Sequence, residues 1–358
     1  MKFLLLSIVT FLVLCFPGIS QVNVAMEGGP LEFFEREPRK IEEVKGRKAL
    51  YLNGKALLKT ASFADGVLEV DFTASKPRSF AGFIFRAQDD ENYEAFYVRL
   101  HKSKMPDALQ YNPEYNGEAN WQLYGEHQNF ANFDQQEWNR LRIEFRGSEL
   151  KVYLNNNSQP VLEVSNLRRG TDPGYIGFYS FLGTYFSNFR YTPFEDVAEA
   201  KTLPPAEEGV IQQWELSDAQ VAKEVNTQKY PEGLTSNWQK AQAEPSGLLP
   251  INKYVRKQNA GNFERNEDEM VWARYTFDAE ESTTRKLYFD FSDNIDLFFN
   301  GKLIFSGKNG FRFKGLTFRG DIHIEGNAVY LDVQQGKNEI LAAVADRANG
   351  WAILGKIE

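Results

Sequence analysis

The sequence predicts an all-β protein of two β-sandwich domains joined by a Pro/Glu/Ala-rich linker, and three observations carry that prediction. Aromatic residues make up 14% of the chain, with 29 Phe and 16 Tyr, and such side chains suit the pleated, half-buried surface of a sheet. Short segments with a period of two recur between Gly, Asn and Pro turn residues, and no segment sustains a helical period with caps. At 358 residues the chain is longer than one core usually organises.

The chain opens on Met1-Lys2, an apolar run from Phe3 to Phe16, and Pro17-Gly18-Ile19-Ser20. That order of charge, apolar stretch and small residues predicts a signal peptide over residues 1–20, cleaved on export. The run is short of the roughly 20 residues that a membrane-spanning helix needs, so a short membrane anchor is the lesser alternative. Cys15, the only cysteine, lies inside the run. Lipidation there would want a small residue where Leu14 stands. The mature chain would then hold no cysteine and no transmembrane segment, and burial of apolar sheet faces must stabilise it without disulfides. The expected setting is secreted or periplasmic, in a bacterium.

Residues 21–193 read as the first sandwich. Ala49–Leu52 and Lys55–Leu58 flank Asn53-Gly54 and predict a hairpin. From Gly66 to Thr73, Leu68, Val70 and Phe72 alternate with Val67, Glu69, Asp71 and Thr73, which predicts one core face and one solvated face. Phe83–Phe85, Glu94–Leu100, Trp138–Phe145, Leu150–Leu154, Tyr175–Phe181 and Tyr185–Tyr191 continue the series. Residues 194–209, with Pro204-Pro205, are poor in large apolar side chains and predict the linker. Residues 210–358 read as the second sandwich. Its strands are Met270–Phe277, Leu287–Phe291, Ile295–Phe299, then Leu303–Phe305 after an Asn300-Gly301 turn, Val329–Val333, Glu339–Val344 and Trp351–Ile357. The segment 217–230 has room for one short helix.

Two resemblances follow from these residues. Phe63–Phe72, Ala81-Gly82-Phe83-Ile84-Phe85-Arg86, Tyr93–Leu100, Glu137-Trp138-Asn139-Arg140-Leu141-Arg142-Ile143, Val152-Tyr153-Leu154-Asn155, Gly174–Phe178 and Phe186–Phe189 resemble the strands of the concanavalin A-like lectin and glucanase superfamily, including laminin-G-like jelly rolls. That resemblance implies sugar recognition on a concave sheet face or at its rim. Ala273–Phe277, Asp293–Lys302, Val329–Val333, Gly336–Ile340 and Asn349-Gly350-Trp351 resemble a galactose-binding-like sandwich, which is often a structural attachment without a ligand. Laminarinase-type members of the first superfamily carry Glu-x-Asp-x-x-Glu along a strand. Glu69-Val70-Asp71 begins that pattern, but Ala74 stands in place of the last Glu and removes the expected acid/base.

The segment Tyr111–Phe130 gathers the residue types that a glycan site uses: rings for the C–H faces of a sugar, amides and carboxylates for its hydroxyls. Tyr111, Asn112, Tyr115, Asn116, Asn120, Trp121 and Tyr124 are the candidate ligand-binding residues. Glu114, Glu118, Glu126 and His127 are the candidates for catalysis, since glycoside cleavage pairs two carboxyl groups. The plainer alternative is that these rings cover an open sheet edge. His101, His127 and His323 lie too far apart in sequence to suggest zinc. Asp89 and Asp90, in Asp89-Asp90-Glu91-Asn92, and the run Asn266-Glu267-Asp268-Glu269 are weak candidates for structural calcium, with an ordinary polar turn as the alternative; no other cofactor is implied. Trp272 is expected in a core, and Trp351 is a candidate to face a ligand. A formal charge of −8 argues against a nucleic-acid partner. The reading is therefore an exported, non-catalytic carbohydrate-binding protein whose partner is an oligo- or polysaccharide. The alternatives are a glycan hydrolase or lyase acting through Glu114–His127, and an adhesion module with a protein partner at the cell surface.

Overall fold

The computed structural model describes residues 20–258 and 267–358. Cys15, the expected signal peptide up to residue 19, and Asn266 of the second acidic run lie outside the described residues. The described chain is built almost wholly of strands, as the aromatic and β-branched composition dictates.

In the first domain the strands run side by side in the order Leu162–Val164, Glu149–Leu154, Asn139–Arg146, Gly66–Ala74, Gly174–Pro193, Phe80–Ala87, Tyr93–Arg99, Leu109–Tyr115. Gly174–Pro193 joins the two layers of the sandwich. Its first half pairs with Phe80–Ala87 and its second half with Gly66–Ala74. The change of partner falls where Leu182 and Gly183 adopt left-handed backbone angles. A Cβ on Gly183 would lie 2.3 Å from the Tyr51 hydroxyl, so only glycine permits that bend. Between the layers Phe72, Phe83, Phe85, Phe96, Phe145, Phe178 and Phe186 are wholly buried, each contributing roughly 1.5–3 kcal/mol of burial free energy.

Three local expectations are corrected. Asn53-Gly54 is no hairpin turn, because Arg47–Phe63 is one continuous strand between Leu31–Val44 and Gly174–Pro193. Gly54, at φ +144°, instead lets the Phe34 carbonyl approach to where a Cβ would stand, at 2.1 Å. The face carrying Glu69 and Asp71 is not merely solvated. Asp71 receives Arg47, Arg140 and Asn188, and Glu69 receives Arg190. Trp351 faces no open surface: it is buried in the second core and donates to the Val344 carbonyl at 3.0 Å.

The second domain stacks the sheet containing Glu269–Ala279, Gly336–Asp346, Asn294–Phe299 and Lys302–Lys308 on the sheet containing Ala352–Ile357, Thr283–Ser292 and Asn327–Val333. Asn300-Gly301 does turn between two of these strands, with both residues at positive φ. Trp272 is buried on the far side of the first of these sheets, under Tyr230, Leu234 and Trp238. The segment that covers it holds a single 3-10 turn, Ala222–Glu224, in place of the expected short helix. Residues 194–207 are irregular but tied to the first domain: Ala198 N–H donates to Asp65 at 2.6 Å and Lys201 N–H to Ser148 at 3.0 Å. Leu123 and Tyr124 of the first domain form a small buried cluster with Leu248, Ile322, Ala352 and Leu354 of the second. No helix among the described residues is long and apolar enough to cross a membrane.

Candidate functional site

Side chains alternate across a strand, and Phe96 and Val98 point into the first core. Tyr93, Tyr97 and Arg99 therefore turn to the opposite face of the same sheet. Register carries that face outward. Tyr93 sits opposite Glu114 and Tyr97 opposite Gln110; Gly82 sits opposite both Tyr97 and Tyr179, and Phe80 opposite Phe181; Tyr179 sits opposite Lys55. A Cβ on Gly82 would lie 2.7 Å from the Tyr97 Cβ and 2.8 Å from a Tyr179 ring carbon. Glycine at this one position lets the two rings close over the sheet.

The result is a floor of rings: Phe181 and Phe80 at 5.5 Å, Phe80 and Tyr97 at 5.9 Å, Tyr97 and Tyr179 at 6.0 Å. Phe80, Tyr179 and Phe181 are half-buried and keep accessible surface. Arg36 lies over Phe181 on one side, and Arg99 lies over Tyr97 and Trp121 on the other. Trp121 stands edge-on to Phe311 of the second domain at 5.3 Å, so that domain closes one end of the face and makes it a trough.

Glu114 occupies the floor. The residue keeps some surface but its carboxyl is enclosed, and burial pushes its pKa up to about 7; Lys55 opposes that rise, and the neighbouring Glu118 adds to it. Burial likewise pushes the phenols of Tyr93, Tyr97 and Tyr179 upward, with the Glu114 charge contributing to each. The three hydroxyls thus stay protonated at neutral pH beside a carboxyl poised to gain or lose a proton there. Glu118 is buried and held differently. Lys257 of the second domain lies 3.8 Å from it and also forms an ion pair with Asp346. Burial alone would lower the Lys257 pKa, but Asp346 and Glu118 outweigh it and keep the ammonium charged.

The expected binding loop is split by the fold. Trp121 reaches the trough, its indole donating to Asn349 at 2.9 Å. The other rings are sealed. Tyr111 is wholly buried, donating to Glu94 at 2.7 Å and accepting from the Arg168 N–H at 2.8 Å. Tyr115 donates to the Arg168 carbonyl at 3.2 Å, and Tyr124 to Glu244 of the second domain at 2.7 Å. Asn112 is buried with its amide at 3.5 Å from Glu114. Asn116 and Asn120 both engage Asn252 of the second domain. In this arrangement no sugar can stack on Tyr111, Tyr115 or Tyr124: Tyr111 belongs to the first core, Tyr115 is held by Arg168 of the same domain, and Tyr124 is covered by the second domain. Glu126 is exposed and pairs with Arg168. His127 is buried against Tyr111 and Tyr124, and burial and then Arg168 push its pKa down to about 3. It is neutral at working pH and sits on the junction, away from the trough.

Asp89 caps its own turn, accepting from the Glu91 N–H at 2.8 Å and the Asn92 amide at 3.1 Å, and the Asp90 carbonyl accepts from the Lys55 ammonium. An ammonium at that carbonyl serves a turn better than a divalent cation, and among the described residues no three His, Cys, Asp or Glu side chains converge. A groove of about 780 Å³ lies on the second domain, bounded by Lys223, Asp296, Lys308 and Phe313; of the residues singled out as candidates from sequence it holds Glu267 and Asp268 of the second acidic run and none of the Tyr111–Phe130 loop.

The residues that sequence reasoning missed are Tyr93, Tyr97, Arg99, Phe80, Tyr179, Phe181 and Lys55. The alternation in Tyr93-Glu94-Ala95-Phe96-Tyr97-Val98-Arg99 marks a strand but does not mark which of its faces carries the site.

Comparison with known proteins bears on the same region. Residues 43–192 match the family model of the 3-keto-alpha-glucoside-1,2-lyase-like domain. No curated protein matches the chain. Similar solved structures include the carbohydrate binding module CBM66 from Bacillus subtilis, at 17% identity over 46% of this chain and 95% of that one, with a TM-score of 0.32. The Bacillus licheniformis β-glucanase is 12% identical over 49% of this chain and 98% of its own, with a TM-score of 0.35. A native glycosidic hydrolase is 15% identical over 50% of this chain and 98% of its own, with a TM-score of 0.36.

Proposed function

We propose that the protein is a saccharide-processing enzyme whose reaction is carried by Glu114, and that its chemistry is an elimination on a 3-keto-glucoside. The observation that supports this is one enclosed carboxyl with a pKa of about 7, set among three protonated tyrosines on an accessible floor of rings. The family match over residues 43–192 supports the substrate class.

A keto group at C3 makes the proton on C2 acidic, because the electrons it leaves can spread onto the ketone oxygen. A carboxylate with a pKa near the working pH is suited to remove that proton. The freed electron pair then forms the C1–C2 double bond as the C1–O bond breaks, and the departing oxygen gains a proton. Tyr93, Tyr97 and Tyr179 are hydroxyl donors beside Glu114, and Lys55 and Arg36 are cations whose charges reach it, so negative charge building on the substrate oxygens meets preorganised partners. Phe80, Tyr179 and Phe181 offer ring faces to the C–H faces of the sugar.

The test is release of the C1 substituent from 3-keto-α-glucosides, with the unoxidised glucosides as controls. Wild type is expected to release it, and Glu114→Gln to lose at least about 10²-fold in kcat, the lower end for a missing general base, while still binding. Release that survives Glu114→Gln assigns the chemistry elsewhere. A wild type that binds these sugars but releases nothing supports non-catalytic capture, the second reading, which the same ring floor favours.

A further inference from the structure

The trough opens onto a segment of the second domain with an unusual charge. Residues 308–319 (KNGFRFKGLTFR) carry Lys308, Arg312, Lys314 and Arg319 and no Asp or Glu, in a chain whose formal charge is −8. The segment meets the trough directly. Gln122 of the first domain donates to the Arg319 carbonyl at 2.8 Å, and Phe311 packs edge-on against Trp121. From there a ladder of cations and rings leads outward. Arg99 lies 5.7 Å from the Trp121 ring, Arg312 4.9 Å from the Phe311 ring, and Lys314 4.9 Å from the Phe318 ring.

Few of these cations are held in ion pairs. Arg319 pairs with Asp321. Among the described residues Arg99 has no carboxylate within ion-pair distance; it donates instead to the Asp107 carbonyl at 2.6 Å, the Tyr97 hydroxyl at 3.2 Å and Gln110 at 3.1 Å. Arg312 and Lys314 likewise have ring partners and no carboxylate within ion-pair distance among the described residues, although the Lys314 charge reaches Asp290 at longer range, and both are exposed. A cationic strip on an acidic protein draws anions to one place. Exposed rings between the cations favour a ligand with apolar faces as well as charge, which a simple ion lacks.

We propose that the saccharide taken by the trough is acidic, bearing carboxylate or sulfate groups beyond the reacting residue, and that the 308–319 segment reads that charge. This rests on the reading of the Glu114 trough as a saccharide site. The second domain thereby becomes the specificity-determining wall of the site.

The experiment is calorimetric titration of the full chain, carrying Glu114→Gln so that nothing turns over. The ligands are a carboxylated, a sulfated and a neutral tetrasaccharide, each at low and at high salt. At least one acidic ligand is expected to bind about tenfold tighter than the neutral one at low salt, with the contrast largely gone in high salt, as screening of exposed charges requires. The carboxylated and sulfated arms tell the two sources of charge apart. Arg312→Asn with Lys314→Gln is expected to remove most of the contrast. Asn is chosen because residue 312 has a φ of +64°, which Asn tolerates. Equal affinity for neutral and acidic ligands, a contrast that survives the double variant, or no saccharide binding at all overturns the proposal. So does capture by these cations of an acidic protein in preference to every sugar. Because the titration reads binding alone, loss of the charge preference leaves Glu114 as the reacting group, and failure of Glu114 in turnover leaves the charge preference intact.

Discussion

At the scale of single residues, Glu114 places a functional need against stability. Its folded pKa is about 7 against an ordinary value of 4.5, so between those values the folded state holds more protons than the unfolded chain. Stability from this group is therefore whole below pH 4.5 and is lost as pH rises through 7. Gln cannot ionise and escapes that loss. Glu114→Gln is expected to melt higher than wild type at pH 8, by a few degrees, and to show little advantage at pH 4.5; a variant less stable at both pH values removes the buried-carboxylate account. Lys257 is the opposite case. Its ammonium serves two buried carboxylates, Glu118 and Asp346, from within the second domain. Lys257→Met removes this ammonium from both and is expected to cost roughly 3–5 kcal/mol in denaturant unfolding. A cost under about 1 kcal/mol, the range of surface pairs, would show that the pair is solvated.

At the scale of strands, the period-two pattern made the fold legible but hid the site. Leu68, Val70 and Phe72 declare a core face because their alternation with polar residues is plain. Tyr93–Arg99 is buried on both faces, one by the core and one by the trough and what covers it, so its pattern reads only as a strand. The loop Tyr111–Phe130 had the composition of a sugar site, yet Tyr111 and Tyr115 answer to Glu94 and Arg168, and Trp121 and Tyr124 to the second domain, contacts of high sequence separation that no local pattern encodes. Glu114 and Trp121 were legible because they share that loop; Tyr179 and Phe181 were not, since only pairing across the sheet brings Tyr179 near Glu114 and Phe181 onto Phe80. Asn53-Gly54 shows the limit of turn chemistry: the same dipeptide that turns at Asn300-Gly301 serves here as a close-approach point inside a long strand. Gly82 tests the strand argument. A methyl group there meets the Phe96 carbonyl at 2.1 Å, the Tyr97 Cβ at 2.7 Å and a Tyr179 ring carbon at 2.8 Å. Gly82→Ala is expected to destabilise the first domain by about 2 kcal/mol, within the range for overpacking, and to weaken saccharide binding by displacing Tyr97 and Tyr179. Unchanged melting and binding would mean that the rings do not close over residue 82.

At the scale of the whole molecule, a Pro- and Glu-rich linker predicts two bodies that move independently, whereas the contacts across the junction predict one. Tyr124 reaches Glu244, Arg168 reaches Glu244 at 2.7 Å, Glu91 pairs with Arg256, and Asn120 accepts from Asn252 at 2.7 Å. These polar pairs surround the apolar cluster of Leu123, Tyr124, Leu248, Ile322 and Leu354, so separating the domains would expose apolar surface and leave buried polar groups without partners. The trough depends on that closure too, because Phe311 reaches Trp121 only from a docked second domain. Calorimetry of the full chain is therefore expected to show one cooperative transition. Tyr124→Ala, which removes a wholly buried ring at the junction, is expected to cost about 3–5 kcal/mol and to resolve two transitions. Saccharide affinity should fall in that variant although Tyr124 itself lies outside the trough. Two independent transitions already present in wild type, with affinity untouched by Tyr124→Ala, would show that the second domain is an attachment and that the first makes its site alone.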